Sequence, residues 1–212
     1  VAIDSVETIE SSSSDHSGDG HSEDGHSDDG PSDDEEHSGV DPHFFSDPAR
    51  MAVAADGLTD CIVAEVPALD TEDVRTTAEE YAAELEELDA EVESALASVP
   101  EERRVLVTNH EVFGYFADRY GFEVAGAILP ASTQSEADAA ALAELAELIR
   151  SEGVAAVFAD TSAPNQLADA LAAEAGDVQV VELFSESLGP DGGETYIEMV
   201  RTNAGRIADA LA

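Results

Sequence analysis

The 212-residue chain carries 8 basic and 49 acidic side chains, which gives a formal net charge of −41. Phosphate recognition requires clustered lysine and arginine, so this balance excludes nucleic acid as a partner and disfavours an anionic membrane surface. Acidic residues occur along the whole sequence and lysine is absent. Such a surface is typical of proteins from salt-loving organisms, where molar salt screens the repulsion between like charges.

The first 39 residues predict a short strand followed by a loop. Residues 1–9 alternate loosely between apolar and polar side chains. Residues 10–39 are rich in Ser, Gly, Asp and Glu and contain no aromatic side chain, so burial cannot offset the entropy of ordering them. We expect this loop to be disordered. Its four histidines indicate weak capture of a divalent metal, with a plain solvated linker as the alternative: His16, His21, His26 and His37.

His43 has a different setting, because it lies beside a proline and two phenylalanines in the sequence DPHFF at 41–45. Asp47 and Pro48 then predict a helix start, with aspartate as the N-cap and proline in the first turn. Apolar residues at helical spacing continue this helix until shortly before Pro67. The single cysteine excludes an internal disulfide and a cysteine-based zinc site.

A long helix is the strongest secondary-structure signal in the chain. From Val74 to Val99 the apolar residues recur at alternating steps of four and three. The helix predicted over 71–99, with Asp70 as the candidate cap, would be about 43 Å long. A coiled coil is the alternative, but four heptads without a continuation favour a helix at a domain boundary.

Beyond Arg103 the pattern alternates between strand and helix. The alternation predicts an α/β fold with a parallel sheet covered by helices on both faces. Thr108 and Glu111 have the spacing of a capping box, which places His110 in the first turn of a helix. The predicted strands are 105–107, 124–129, 154–159 and 178–184, and the predicted helices begin near 108, 135, 164 and 194.

Three side chains that can bind metal follow or end predicted strands, where ligands gather in open α/β sheets: His110, Asp160 and Glu186. A helix N-terminus disfavours imidazolium, and a neutral imidazole is what a metal binds. Each residue alone is better explained by capping or ordinary hydrogen bonding. His43 and His110 together, in a chain with 6 histidines, favour a metal site. Asp160 is predicted at most to orient an imidazole, with capping of the next helix as the alternative.

Enzymatic chemistry has little support in the sequence. Cys61 has no plausible catalytic partner, and the Gly-x-Ser-x-Gly nucleophile elbow is absent. The glycine-rich segment Gly189–Gly193 lacks the lysine of a phosphate loop. A metal-dependent hydrolase would also need a general base, and we find no convincing candidate.

Several stretches together resemble the zinc-uptake binding-protein family, the metal-specific solute-binding proteins of zinc and manganese ABC transporters. They are DPHFFSDP at 41–48, VTNHEVFGYF at 107–116, FSESLG at 184–189, TYIEM at 195–199 and Asn203. The resemblance implies two α/β lobes joined by a long helix, with the metal between the lobes. It therefore predicts three regions: a remnant of the N-terminal lobe at 1–70, the linking helix at 71–99, and a complete C-terminal lobe at 100–212.

The resemblance also implies a ligand set. The family's second and third histidine ligands fall on His43 and His110, and its fourth ligand, usually aspartate, falls on Glu186. A histidine at the third position and a histidine-rich loop are features of zinc-type members. The first histidine ligand would precede Val1, so we expect the sequence to be a fragment or a truncated relative.

The resemblance thus predicts a receptor without enzymatic activity that captures Zn²⁺ outside the cell and delivers it to a membrane permease. We expect a monomer that is secreted or lipid-anchored. A manganese or iron receptor is the alternative within the family, with Mn²⁺ as the second choice of metal. An extracellular metal buffer or adhesin without transport is the alternative from another class.

Overall fold

The computed structural model of the protein describes residues 6–9, 40–129, 139–161, 165–176 and 178–212. Short 3₁₀ turns in the described part precede α1, α2 and β1, at Phe44–Ser46, Pro67–Leu69 and Glu101–Arg103. The described helices are α1 Pro48–Glu65, α2 Glu72–Leu96, α3 Gly114–Tyr120, α4 Ala139–Glu152, α5 Gln166–Glu174 and α6 Tyr196–Leu211. The described strands are β1 Val105–His110, β2 Glu123–Leu129, β3 Ala156–Asp160 and β4 Gln179–Leu183.

The four described strands form one parallel sheet in the order β2–β1–β3–β4. This is the α/β architecture that the alternating pattern predicts. Because the strands run in the same direction, their carboxyl ends meet at one edge, which is where ligands bind in such sheets. His110 and Asp160 end the two central strands, so both lie at that edge.

Two layers of helices cover the sheet. Neighbouring residues of a strand point to opposite faces, so Leu106 packs with α2, α3 and α6 while Val107 packs with α4 and α5. Phe158 likewise packs with α2, α3 and α6, and Val157 packs with α4 and α5. All four side chains are at most 1% exposed. The continuous apolar run of each central strand therefore reflects burial on both faces.

The long helix predicted over 71–99 is observed as α2, residues Glu72–Leu96. Thr71, not Asp70, caps it by accepting the Val74 backbone N–H at 3.3 Å. Its buried stripe keeps the predicted three- and four-residue steps and consists of Ala82, Leu85, Leu88, Val92 and Leu96. This stripe packs against α1 and α6.

One local expectation is wrong. The capping box expected at Thr108 and Glu111 does not form, because β1 continues through His110. A capping box occurs instead at the start of α6, between Thr195 and Glu198. The strand expected over residues 1–9 is not formed by the described part, residues 6–9.

All eight basic residues are arginines, and each donates to a carboxylate or a main-chain carbonyl. Arg104 donates to the carbonyl oxygens of Tyr120, Val99 and Leu96 at 2.8, 3.3 and 3.4 Å. Its guanidinium thus bonds the carbonyls of the last residues of α2 and α3, which have no partner within their own helices, and the carbonyl of Val99 beyond α2. Along the described residues, no helix has both the length and the apolar content for crossing a bilayer.

Candidate metal centre

The segment before α1 places His43. Asp47 caps α1 as predicted, accepting the backbone N–H of Ala49 at 2.8 Å. His43 lies immediately before the 3₁₀ turn that leads into this cap and is only 5% exposed. Tyr196 at the start of α6 donates its hydroxyl to the Phe45 carbonyl at 2.8 Å. Burial raises the pKa of Tyr196, so its hydroxyl stays a donor and fixes the segment to α6.

Asp41 orients the imidazole of His43 and was not among the predicted site residues. Its Oδ1 lies 2.6 Å from His43 Nδ1 and also accepts the His43 backbone N–H at 2.9 Å. Both side chains are buried. An aspartate two residues before a histidine often bonds the local backbone in this way, so the spacing in DPH was a usable signal.

His110 is the last residue of β1 rather than part of a helix, because α3 begins only at Gly114. The expectation that a helix N-terminus favours its neutral form is therefore wrong. The carboxyl end of a central strand places this imidazole instead. His110 is 7% exposed, and its buried Nδ1 has no hydrogen-bond partner among the described residues.

Glu186 lies in the loop after β4, and its side chain is 48% exposed. Asn203 of α6 anchors this loop through Phe184: its side-chain oxygen accepts the Phe184 N–H at 2.9 Å, and its amide donates to the Phe184 carbonyl at 2.7 Å. Gly193 packs on the Phe184 ring, where an added Cβ would lie 2.7 Å from ring atoms. The base of the loop is therefore fixed while the Glu186 carboxylate can adjust.

The structure brings His43, His110 and Glu186 together. One possible ligand atom from each lies within 4.8 Å of the others. The two imidazole centroids are 5.5 Å apart with the rings almost perpendicular, and His43 Nε2 lies 3.8 Å from Glu186 Oε1. Donors on a tetrahedral zinc ion are separated by about 3.3 Å. A small shift of the exposed glutamate would bring the carboxylate to that distance.

These residues fit a divalent transition metal. Two imidazoles and a carboxylate are donors that zinc accepts. A buried polar atom without a partner costs about 1–3 kcal/mol, and the buried His110 ring carries such an atom. A cation bound by this ring would offset part of the cost of burying it.

Asp160 lies beside His110 around a small cavity at the sheet edge. Its carboxylate accepts a hydrogen bond from the Ser185 hydroxyl. The role of orienting an imidazole therefore stays a prediction for Asp160, whereas Asp41 is seen to make that contact. The predicted loop over residues 10–39, called the acidic loop below, lies outside the described residues. It contains His16, His21, His26 and His37.

Fold and site together define an α/β protein with a histidine–carboxylate cluster at the sheet edge. The family model described as Zinc-uptake complex component A, periplasmic (ZnuA), matches residues 2–210. The chain therefore belongs to this family. The family consists of substrate-binding proteins of ABC transporters, not enzymes.

Individual relatives agree with this assignment. The zinc-binding protein TroA of Treponema pallidum is 37% identical over 184 residues, which cover 84% of this chain and 59% of TroA. The manganese-binding lipoprotein MntA of Bacillus subtilis is 35% identical over 144 residues, covering 65% of this chain and 47% of MntA. The solved structure of periplasmic TroA has a TM-score of 0.76 at 35% identity and covers 84% of this chain and 66% of that one. The chain thus spans about half to two thirds of the length of these relatives.

Proposed function

We propose that this chain belongs to the substrate-binding component of a zinc ABC transporter, which captures Zn²⁺ outside the cell and delivers it to the membrane permease. The observation that supports this most is the convergence of His43, His110 and Glu186, with possible ligand atoms within 4.8 Å of one another. Membership of the ZnuA family supports the transport role.

Zinc is the proposed cargo because of the donor set. Imidazole suits zinc, whereas manganese prefers carboxylate, carbonyl and water oxygens. The names of the relatives leave a choice of metals: TroA is described as zinc-binding, MntA as manganese-binding and YfeA of Yersinia pestis as iron-binding. Two imidazoles against one carboxylate favour zinc, with Mn²⁺ as the second choice.

The proposed division of the chain follows the family. Residues 1–70 would be a remnant of the N-terminal lobe, and residues 100–212, with the sheet, would be the complete C-terminal lobe. The linking helix proposed for 71–99 corresponds to α2, which packs against both α1 and α6. We also propose a monomer at the extracellular face of the membrane, secreted or lipid-anchored, since relatives are described as periplasmic or as lipoproteins.

The acidic loop is proposed to collect zinc for the main site. Its histidines are dispersed among carboxylates, which suits weak and exchangeable binding. Deleting residues 15–39 should remove low-affinity binding equivalents and leave the affinity of the main site unchanged. Complete loss of binding after the deletion would contradict this division between loop and main site.

Calorimetric titration of the protein with Zn²⁺ and with Mn²⁺, in buffer containing molar KCl, tests the proposal. We expect one tight zinc site, with zinc bound at least about tenfold more tightly than manganese. His43→Ala and His110→Ala should each abolish tight binding, whereas Glu80→Gln, an exposed glutamate of α2, should not. Tight manganese binding with weak zinc binding would overturn the choice of metal, and unchanged zinc affinity in His110→Ala would remove that residue from the site.

A further inference from the structure

One oxygen of Asp41 determines which nitrogen of His43 carries the proton. Oδ1 lies 2.6 Å from Nδ1 of the ring and accepts the His43 backbone N–H at 2.9 Å. An ionised carboxylate can only accept hydrogen bonds. The proton between these two side chains therefore belongs to Nδ1, and in the neutral ring Nε2 keeps its lone pair. Nε2 is the nitrogen that lies 3.8 Å from the Glu186 carboxylate.

We infer that Asp41 is a positioning residue that holds His43 in the Nδ1–H tautomer and presents the Nε2 lone pair to the cation. The consequence for zinc rests on the proposed function, but the tautomer of the metal-free protein does not. A metal-binding histidine whose other nitrogen donates to a carboxylate has a fixed ring orientation and greater basicity.

The Asp41 backbone is itself held at both of its polar groups. Its N–H donates to the Ile9 carbonyl at 3.0 Å, and its carbonyl accepts the Tyr115 hydroxyl at 2.7 Å. The same hydroxyl accepts the Ile9 N–H at 3.1 Å, and Tyr115 is 0% exposed in α3. The carboxylate therefore projects from a fixed piece of backbone. Side-chain substitutions at Asp41 leave these backbone contacts in place. They therefore change the chemical group that faces His43 without moving the backbone that carries it.

Nitrogen-15 NMR of the metal-free protein at pH 8 tests the tautomer directly. We expect His43 to show a protonated Nδ1 and an unprotonated Nε2. Asp41→Ala should redistribute the proton between the two nitrogens. Asp41→Asn should keep the Nδ1–H form, because its amide oxygen can accept both hydrogen bonds. A protonated Nε2 in the unaltered protein, alone or together with Nδ1, would overturn the inference, and so would an unchanged tautomer in Asp41→Ala.

Zinc titration supplies the second readout. Asp41→Ala should weaken zinc binding about 10- to 100-fold, the usual effect of losing a partner of a metal-bound histidine. Asp41→Asn should weaken it by less than about tenfold, because only the charge is lost. Tyr115→Phe is the structural control: it removes the hydroxyl contacts and should lower the melting temperature without changing the tautomer. Equal zinc affinity in the unaltered protein and Asp41→Ala would refute the positioning role, whereas a correct tautomer without any zinc binding would refute only the proposed function.

Discussion

Arg119 of α3 donates from Nε to Oδ1 of Asp89 on α2 at 2.9 Å, and its Nη2 bonds the second carboxylate oxygen. The Tyr120 hydroxyl donates to the same Oδ1 at 2.9 Å. Burial on its own would raise the pKa of Asp89. The hydrogen bonds from Arg119 and Tyr120 outweigh that effect, so the pKa of Asp89 lies below its usual range. The ionised carboxylate thus joins the helix after β1 to the long helix.

Asp89→Asn should therefore destabilise the protein in a pH-dependent way. A carboxyl group whose pKa is lower in the folded state stabilises the fold above its unfolded pKa of about 3.9, and this contribution is lost as pH falls through the folded-state pKa. We expect the variant to be less stable by about 1–2 kcal/mol at pH 7. The difference in the free energy of unfolding should begin to narrow near about pH 4 and close as pH falls through the lower pKa of the folded state. Urea unfolding in molar KCl between pH 7 and pH 3 measures it.

The exposed Glu80→Gln is the matched control and should show no comparable gap at either end of the pH range. If the difference in the free energy of unfolding between Asp89→Asn and the unaltered protein is as large at pH 3 as at pH 7, ionisation of Asp89 does not contribute to stability.

Asn203→Ala should destabilise the protein by about 2–4 kcal/mol. The substitution leaves the N–H and carbonyl of buried Phe184 without partners, and each such buried group costs about 1–3 kcal/mol. Asn165→Ala removes an exposed hydrogen bond to Glu182 and should change stability by no more than about 0.5 kcal/mol. Urea unfolding of both variants compares them. Equal losses of stability in the two variants would show that the two buried hydrogen bonds of Asn203 stabilise the fold no more than the exposed one of Asn165.

Substitutions at Glu186 test whether the site needs a carboxylate or a particular side-chain length. Glu186→Asp restores the residue that the family usually has, and we expect zinc affinity to stay within about fivefold because the charge and donor type are kept. Glu186→Gln removes the charge and should weaken zinc binding by tenfold or more, since a neutral amide is a poor zinc ligand. Zinc titration of both variants decides. Equal affinities for the glutamine variant and the unaltered protein would exclude Glu186 as a ligand.

Salt should stabilise this protein strongly. The net charge of −41 means that the acidic side chains repel one another. This repulsion is strong at 0.1 M salt, where the Debye length is about 10 Å, and much weaker at 1 M, where it is about 3 Å. We expect the melting temperature to rise by about 10 °C between 0.1 and 2 M KCl, the equivalent of several kcal/mol. Sucrose stabilises by exclusion from the surface without screening charge, so it serves as the control. A melting temperature that is unchanged or lower in KCl would contradict the expectation of a protein from a salt-loving organism.

Much of the fold was readable from sequence because periodic burial left strong patterns. The steps of three and four between Leu85 and Leu96 gave α2, and the apolar runs around Val107 and Val157 gave the buried strands of a parallel sheet. Asp47 was identified as a cap because aspartate followed by proline satisfies two separate requirements of a helix start. Each of these features depends on residues close together in the chain.

The site was harder to derive because it depends on contacts between distant segments. The type of residue at His43, His110 and Glu186 suggested metal chemistry, but their proximity follows from the sheet order and from the anchoring of the segment before α1. The predicted setting of His110 was wrong, because Thr108 and Glu111 imitate a capping box although pairing with β2 extends β1 through the histidine. Asp41 was overlooked because aspartate is abundant in this chain, so its two-residue spacing to His43 did not stand out.

Every arginine lies within the folded part and donates a hydrogen bond there, and this has a practical consequence for proteolysis. Trypsin cleaves after lysine or arginine, and this chain offers no lysine and its first arginine only at Arg50. The histidine-rich segment 10–39 therefore contains no tryptic site. Cleavage by this protease would therefore report the opening of the helices and sheet. Any slowing of digestion by added zinc would measure how far the metal suppresses that opening, without interference from the acidic loop.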